Sequence, residues 1–565
     1  MRTRNILALL LAVLLIASLA GCVSNGAETP VDTGQQQTND SDPKVSADDG
    51  TTQTGNKAVE LLRIGTTAPC ENFSNFAESG SYGRMNIYST VQMPFWRVDK
   101  DSQVISGFIE EWEISEDNME MTIKFPTNAM WHDGKPVTAE DVKFTFDYHM
   151  EVIKNDYTSQ LASADIISDN TVKLVFLEPA AFALLYKCAD FVYPVPKHIW
   201  EGIEEPRTYF DEGALISCGP YTVTNIDQDA QTFTMEAVPE HYLGEVNVKK
   251  IVVKSYDTQE SLVLALKNKE IDCFSDYSKS LVSTLAPSIT DVEGLELGTS
   301  VNPGNMQLQF GASAAPSNEK SFRNAVSYAL NHELIAATVG GEYGEIPGRG
   351  VIAPPNKGFD ASIAKLSYDL EKANSILDDA GYTDTNGDDI REGLDGNPME
   401  VLLTLQWNPA KKELLVRLGE IIQTNLKDVG IRVIIDEESL SNQDAYKKLV
   451  NTDRAYQMFI VNNTTGIALY KTSFFYMQRK YGMFGTWETP ELAALYEEMM
   501  CAPSFEVYSG KSAEIQRYND EHTLGIALGW DHVFFPYWTD QYDGWTNFPG
   551  VGGVNYKTWY ELYTK

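Results

Sequence analysis

Hydrophobic and polar positions along this chain change period many times. Alternation with a period of two marks a half-buried strand. It runs through Met121 to Phe125, through Val172, Leu174 and Phe176, and through Phe233, Met235 and Ala237. The stretches "VELLRIGTTA" (Val59 to Ala68), "KKIVVKSY" (Lys249 to Tyr256) and "IRVIID" (Ile431 to Asp436) read as further strands. Helical spacing fills the intervals. Thr258 stands where it caps a helix carrying Leu262, Ala265 and Leu266, and one continuous helix is expected from about Ser321 to Val339, stopping at Gly340-Gly341. "YDLEKANSILDDAGY" ends at Gly381 and "KKELLVRLGEIIQTNLKDVG" at Gly430. Glycine there accepts the left-handed backbone that closes a helix. Two more helices cover about Glu488 to Met500 and Phe505 to Glu521. Strands and helices mixed along the whole length predict α/β layering.

The first residues depart from this pattern. Arg2 and Arg4 precede an apolar run, Ile6 to Leu19, interrupted only by Ser18. The run falls short of the about 20 apolar residues a membrane span needs, and it ends in small residues, as an export signal does. "LAGC" then places Cys22 where it resembles a lipobox, so residues 1–21 read as a signal peptide and Cys22 as a lipidated N-terminus. Residues 22–58 contain no aromatic residue, leucine, isoleucine or methionine. Such a stretch cannot bury enough apolar surface to offset its ordering entropy and reads as a flexible tether. The expected location is therefore the outer face of the cell membrane.

Composition narrows the function. The chain has 565 residues, 43% hydrophobic and 11% aromatic, so it is globular. The formal net charge of −36 argues against nucleic acid or an anionic membrane surface as partner. Beyond Cys22 lie Cys70, Cys188, Cys218, Cys273 and Cys501, with no CxxC pair for zinc. One or two disulfides are expected outside the membrane, with at least one thiol left over. No GxGxxG, Walker A, HExxH or GxSxG motif is present. No enzyme and no cofactor is expected.

The segment "AMWHDGKPVTAEDVKFTFDYHM" (Ala129 to Met150) invites a catalytic reading through His132 and Asp133. Its physics is structural. Asp133-Gly134 makes a turn, Thr138 and Asp141 form a capping box, and Val142, Phe146, Met150 and Ile153 make the buried stripe of the helix that follows. The same segment resembles the hallmark of the extracytoplasmic solute-binding proteins of peptide/nickel ABC transporters (family 5). "GFIEEWEISEDNMEMTIKF", "VYPVPKHIW", "SCGPYTV", "ALKNKEIDCF", "SFRNAVSYALNHELIAATV", "GYTDTNGDDIREGLDGNPMEVLLTL" and "PYWTDQYDGW" extend the resemblance, in order, over nearly the whole chain after the tether.

The resemblance implies a two-lobed α/β clamp of the periplasmic-binding-protein kind (type II, the large peptide-binding variety). Lobe I is expected at 59–300 and 540–565, with an extra subdomain at about 85–190, and lobe II at 301–539. It also implies a solute held between the lobes, most simply a peptide, and delivery by a monomer to ABC permease subunits with cytoplasmic ATPases. A sensor on the same fold is a second reading. By the same resemblance the ligand contacts are Tyr157, Ser275, Asp276, Tyr277, Asn305, Gln307, Gln309, Trp407, Asn462, Asn463 and Tyr470. Peptide-binding members often place a carboxylate in the lobe II segment that corresponds to Tyr456–Tyr476, and nickel-chelate binders a histidine; this chain has neither there. Neutral amides and hydroxyls stand instead, which makes an oligosaccharide an alternative ligand and a nickel chelate a third. "DTNGDDIREGLD" resembles a calcium loop, with Asp384, Asn386 and Asp388 as candidate ligands, but Asp389 stands where an EF-hand has glycine.

Overall fold

The computed structural model describes residues 57–565 except 75, 77–90, 155–156, 277–279, 357, 464–485 and 488. Three larger sheets organise it. A seven-stranded sheet has the order Leu295–Val301, His532–Trp538, Cys273–Phe274, Leu62–Thr66, Lys250–Ser255, Thr232–Ala237, Tyr221–Asp227. A five-stranded sheet has the order Arg432–Ile435, Glu400–Leu405, Met458–Asn463, Asn305–Phe310, Gly525–Gly529. A four-stranded antiparallel sheet is built from Glu111–Ile114, Glu120–Lys124, Thr171–Phe176 and Leu161–Ser168.

The chain passes from the seven-stranded to the five-stranded sheet between Val301 and Asn305 and returns between Gly529 and His532. Strand His532–Trp538 pairs along its length with Leu295–Val301, so it joins the first sheet ahead of the return expected at 540. The two crossings lie side by side, because the N–H of Asn302 donates to the carbonyl of Asp531 at 2.8 Å.

Each sheet has its own core. Leu62, Ile64, Phe233, Met235, Ile251 and Val253 fill one face of the first sheet, and Leu262, Leu266, Ile271, Phe274 and Phe534 the other. Met306, Leu308, Phe310, Leu403 and Ile460 meet Leu415, Leu418 and Ile422 of helix Lys412–Lys427 on the second. The four-stranded sheet packs against helix Ala139–Tyr148 through Val142 and Phe146. The same core takes in Leu492, Tyr496, Met499, Tyr508 and Ile515 from the antiparallel helices Pro490–Met500 and Phe505–His522. Asn118 joins these parts. Its Nδ2 approaches the carbonyls of Pro179, Cys501 and Ala502 at 3.0, 3.3 and 3.2 Å, and its Oδ1 accepts from the N–H of Phe182.

Most local expectations hold. Thr258 caps Gln259–Lys267 through the N–H of Ser261, and Gly381 and Gly430 close their helices at φ +89° and +75°. The single helix expected from Ser321 to Val339 is two, Lys320–Ala329 and His332–Gly340. Asn331 breaks it: its Oδ1 caps the second helix through the N–H of Leu334, and its own N–H donates to Asn425 Oδ1 at 2.9 Å. Among the described residues the expected disulfides are not formed: Cys70, Cys188, Cys218, Cys273 and Cys501 are not bridged, and the four buried ones fall two by two in separate cores, Cys70 with Cys273 and Cys188 with Cys218. Burial pushes the Cys70 thiol up to about 11, which makes it a poor nucleophile.

Candidate functional site

The hallmark turn shows what a fully satisfied polar cluster looks like. Asp141 Oδ2 accepts from the N–H and hydroxyl of Thr138 (2.9 and 2.8 Å) and from Trp131 Nε1 (3.4 Å), and Oδ1 accepts from the N–H of Lys197 (2.9 Å). His132 bonds through Nε2 to the carbonyl of Gly219 at 2.9 Å, while its Nδ1 accepts from the N–H of Ser217 at 3.3 Å. Burial lowers its pKa and keeps it neutral. Both ring nitrogens are thus engaged, and no lone pair is left to act as a base. Asp133 faces His198 (2.8 Å) and Lys135 instead. The pair is no catalytic dyad.

The strand Asn305–Phe310 behaves differently. Its odd positions, Asn305, Gln307 and Gln309, turn away from the apolar core that Met306, Leu308 and Phe310 enter. They are nevertheless buried, at 5%, 1% and 2% exposure. Asn305 Nδ2 donates to the carbonyl of Val351 at 2.7 Å, and the Tyr456 hydroxyl donates to Gln309 Oε1 at 3.4 Å. Asn305 Oδ1, Gln307 Oε1 and Gln309 Nε2 have no partner among the described residues. On the adjacent strand Asn463 pairs with Asn305, Val461 with Gln307 and Phe459 with Gln309. Phe459 and Val461 pack with Tyr446, Val450 and Tyr456, and half-buried Trp407 leans on that cluster. Asn305, Gln307 and Gln309 thus share a sheet face with Val461 and Phe459, whose cluster Trp407 joins, whereas Asn462, paired with Met306, lies on the opposite face, and Asn463 pairs with Asn305 at the strand end.

Other expected contacts lie elsewhere. Ser275 and Asp276 follow strand Cys273–Phe274 of the seven-stranded sheet. The N–H of Ser275 donates to the carbonyl of Gly65, and buried Asp276 Oδ2 accepts from the hydroxyls of Thr66 and Thr67 at 3.3 and 3.4 Å. Tyr157 stacks on Phe191, with centroids 5.6 Å apart, at the margin of the core beneath the four-stranded sheet. Tyr277 and Tyr470 fall outside the described residues, as does Cys22.

Lys411, on the opposite face of this sheet, was not anticipated, and Trp530 is buried, as expected of a core tryptophan. Lys411, just ahead of helix Lys412–Lys427, donates to Asn462 Oδ1 at 3.0 Å. It follows the strand that ends at Leu405 after the five-residue link Gln-Trp-Asn-Pro-Ala, a signal visible in "LQWNPAKK". Trp530 sits in the return crossing, 3% exposed, with Nε1 unbonded.

In the acidic loop, Asp384, Asp388 and Glu392 bring one oxygen each within 4.8 Å of one another. Asn386 uses Nδ2 to donate to Glu392 Oε1 at 2.9 Å, and Asp384 Oδ1 accepts from the N–H of Gly387 at 2.7 Å. Glu392 is the residue the sequence pattern did not single out.

The comparisons with known proteins agree with this architecture. A family model described as bacterial extracellular solute-binding proteins, family 5 (middle), matches residues 103–484, more than half of the chain. The chain belongs to that family of solute-binding proteins. A peptide-binding protein of an ABC transporter from Brucella ovis is 24% identical over 382 residues, 64% of this chain and 65% of that protein. The match thus spans just under two thirds of that relative's length. The oligopeptide-binding protein AppA of Bacillus subtilis, solved in complex with a nonapeptide, shares the fold with a TM-score of 0.69, 18% identity, and 90% and 100% of the two chains covered. The oligopeptide-binding protein of Thermotoga maritima bound to mannohexaose gives a TM-score of 0.68 at 20% identity, covering 90% and 99%. Among the described residues no helix is long and apolar enough to cross a membrane.

Proposed function

We propose that this protein is a lipid-anchored receptor that captures a peptide-like solute between two lobes and presents it to an ABC importer. The lobes are the bodies built on the seven- and five-stranded sheets, with the chain crossing between them at Asn302 and Asp531. The single observation that carries the reading is the row Asn305, Gln307 and Gln309. It comprises neutral amides, buried and incompletely bonded, on the first strand after a crossing of a chain that belongs to a solute-binding family. Binding here needs no reacting group, only a shift of population toward the closed form when solute adds its contacts. The peptide assignment follows the Brucella and Bacillus relatives, a peptide-binding and an oligopeptide-binding protein. Cys22 supplies the membrane attachment, the receptor works as a monomer, and permease subunits with their ATPases are its partners.

The test is native mass spectrometry of residues 58–565, followed by thermal unfolding with peptide pools, mannohexaose and nickel chelates. Peptide is expected to co-purify and to raise the melting temperature, because a ligand that binds only the folded state stabilises it. Stabilisation by mannohexaose and not by peptide would replace the peptide reading with an oligosaccharide one.

A further inference from the structure

We propose that Arg97, Tyr242 and Tyr560 form a buried site for a small anion where two cores of the molecule meet. The site does not depend on the solute reading above. Arg97 lies on strand Trp96–Val98 and is 6% exposed. A guanidinium carries five N–H donors and a permanent charge, so its burial calls for acceptors and a counter-charge. Among the described residues no carboxylate pairs with it. Its one side-chain hydrogen bond runs from Nη2 to the Met93 sulfur at 3.3 Å, a weak acceptor, and its central carbon stands 4.9 Å over the Tyr556 ring.

What surrounds the guanidinium is a set of donors. Tyr242 packs on the core beneath the four-stranded sheet and Tyr560 on a core of the seven-stranded sheet. The charge of Arg97 reaches both phenols, and Tyr556 and His241 as well. The hydroxyls of Tyr242 and Tyr560 are buried and meet no partner among the described residues. The Cys218 thiol stands beside the Tyr242 hydroxyl, outside the geometry of a full hydrogen bond. His241 is already engaged: Nδ1 accepts from the N–H of Leu243 at 3.3 Å, and Nε2 bonds to the Cys218 carbonyl at 3.0 Å. Asp190 feels the guanidinium but does not pair with it. Its Oδ2 accepts from the N–H of Val98 at 3.1 Å, and burial raises its pKa to about 6 although Arg97 pulls the other way. A bound anion gives the guanidinium a counter-charge and both phenols an acceptor. Donors that arrive from separate elements suit a compact ion with no preferred plane, a halide. A carboxylate takes its donors side by side in one plane.

The experiment is thermal unfolding of residues 58–565, which hold every core residue described above, in sodium bromide, with sodium gluconate keeping the ionic strength constant. Crystals soaked in bromide are measured at the bromine absorption edge. The melting temperature is expected to rise saturably with bromide, and anomalous density is expected beside Arg97. Tyr560→Phe removes one unpartnered hydroxyl. It is expected to fold as the parent does and to need about tenfold more bromide for the same rise. Asp190→Asn keeps an acceptor for the N–H of Val98 and removes a competing charge, so it is expected to need about tenfold less. A melting temperature indifferent to bromide, or an equal response in Tyr560→Phe, overturns the site. So does water in place of bromide beside Arg97 in the soaked crystals. Asp190→Asn protein that melts lower and binds bromide no more tightly also overturns it, and makes Asp190 the partner of Arg97.

Discussion

The turn around Asp141 and the strand around Gln307 are both buried and polar, yet they are opposites. Every contact of Asp141 in the turn ends on a donor from the protein itself, from Thr138, Trp131 and Lys197. In the strand, three amide atoms meet no partner among the described residues. The first arrangement fixes the fold; the second leaves bonding capacity unspent. Residue type does not separate the two, since carboxylates, amides and imidazoles serve in either. The completeness of their hydrogen bonding does.

That contrast is tested most sharply by removing one group from each region. Asp141→Ala strands the Thr138, Trp131 and Lys197 donors and is expected to cost about 3–5 kcal/mol in thermal or denaturant unfolding. A loss below about 1 kcal/mol would show the turn to be less integral than its bonds imply.

Acid separates the regions next. Burial holds His241 and His332 down at about 4, well below the ordinary histidine value, and lowers His132 as well. The unfolded chain takes up these protons first. The histidines' contribution is therefore present above pH 6.5 and is lost as pH falls toward 4. For His241 and His332 it is on the order of 2–3 kcal/mol each. The amide row does not titrate. Stability is expected to fall over that window in unfolding measurements, while peptide affinity, measured on protein still folded between pH 5 and 8, stays level. Affinity that follows the histidines would place a titrating group in the site.

Asn118→Gly comes third. It keeps the left-handed backbone (φ 58° at Asn118) and deletes the bonds to Phe182, Pro179, Cys501 and Ala502. A loss of about 2 kcal/mol is expected, with faster hydrogen exchange near residues 490–508. The smallest effect is that of Gln309→Leu on stability, expected to lie within about 1 kcal/mol of the parent in either direction, because among the described residues the one side-chain bond lost is the long one from Tyr456. A cost as large as that of Asp141→Ala would make the row structural.

Much of this was legible from local pattern. The Thr138–Asp141 capping box, the turn at Gly134 and the glycine-closed helices are set by interactions within a few residues, which sequence spacing reports directly. The break at Asn331 was missed because an apolar stripe continues through it, although an Asn before His-Glu-Leu is itself a capping signal. The absence of disulfides was not legible, since pairing depends on which cysteines the fold brings together. Lys411 was missed for the same reason, because its neighbour Asn462 comes from a distant segment.

The sequence by itself determined that residues 305–310, "NMQLQF", alternate amide with apolar side chains, and so that a strand carries one polar and one apolar face. Taken alone, that pattern places the amides against water. Only the tertiary structure decided that both faces are buried, by pairing this strand with Met458–Asn463 and Gly525–Gly529 and packing Tyr456, Phe459 and Val351 around it. Periodicity is a property of neighbours along the chain and is written in order. Burial is a property of whatever arrives from elsewhere, and it turned a polar strand face into a candidate binding site.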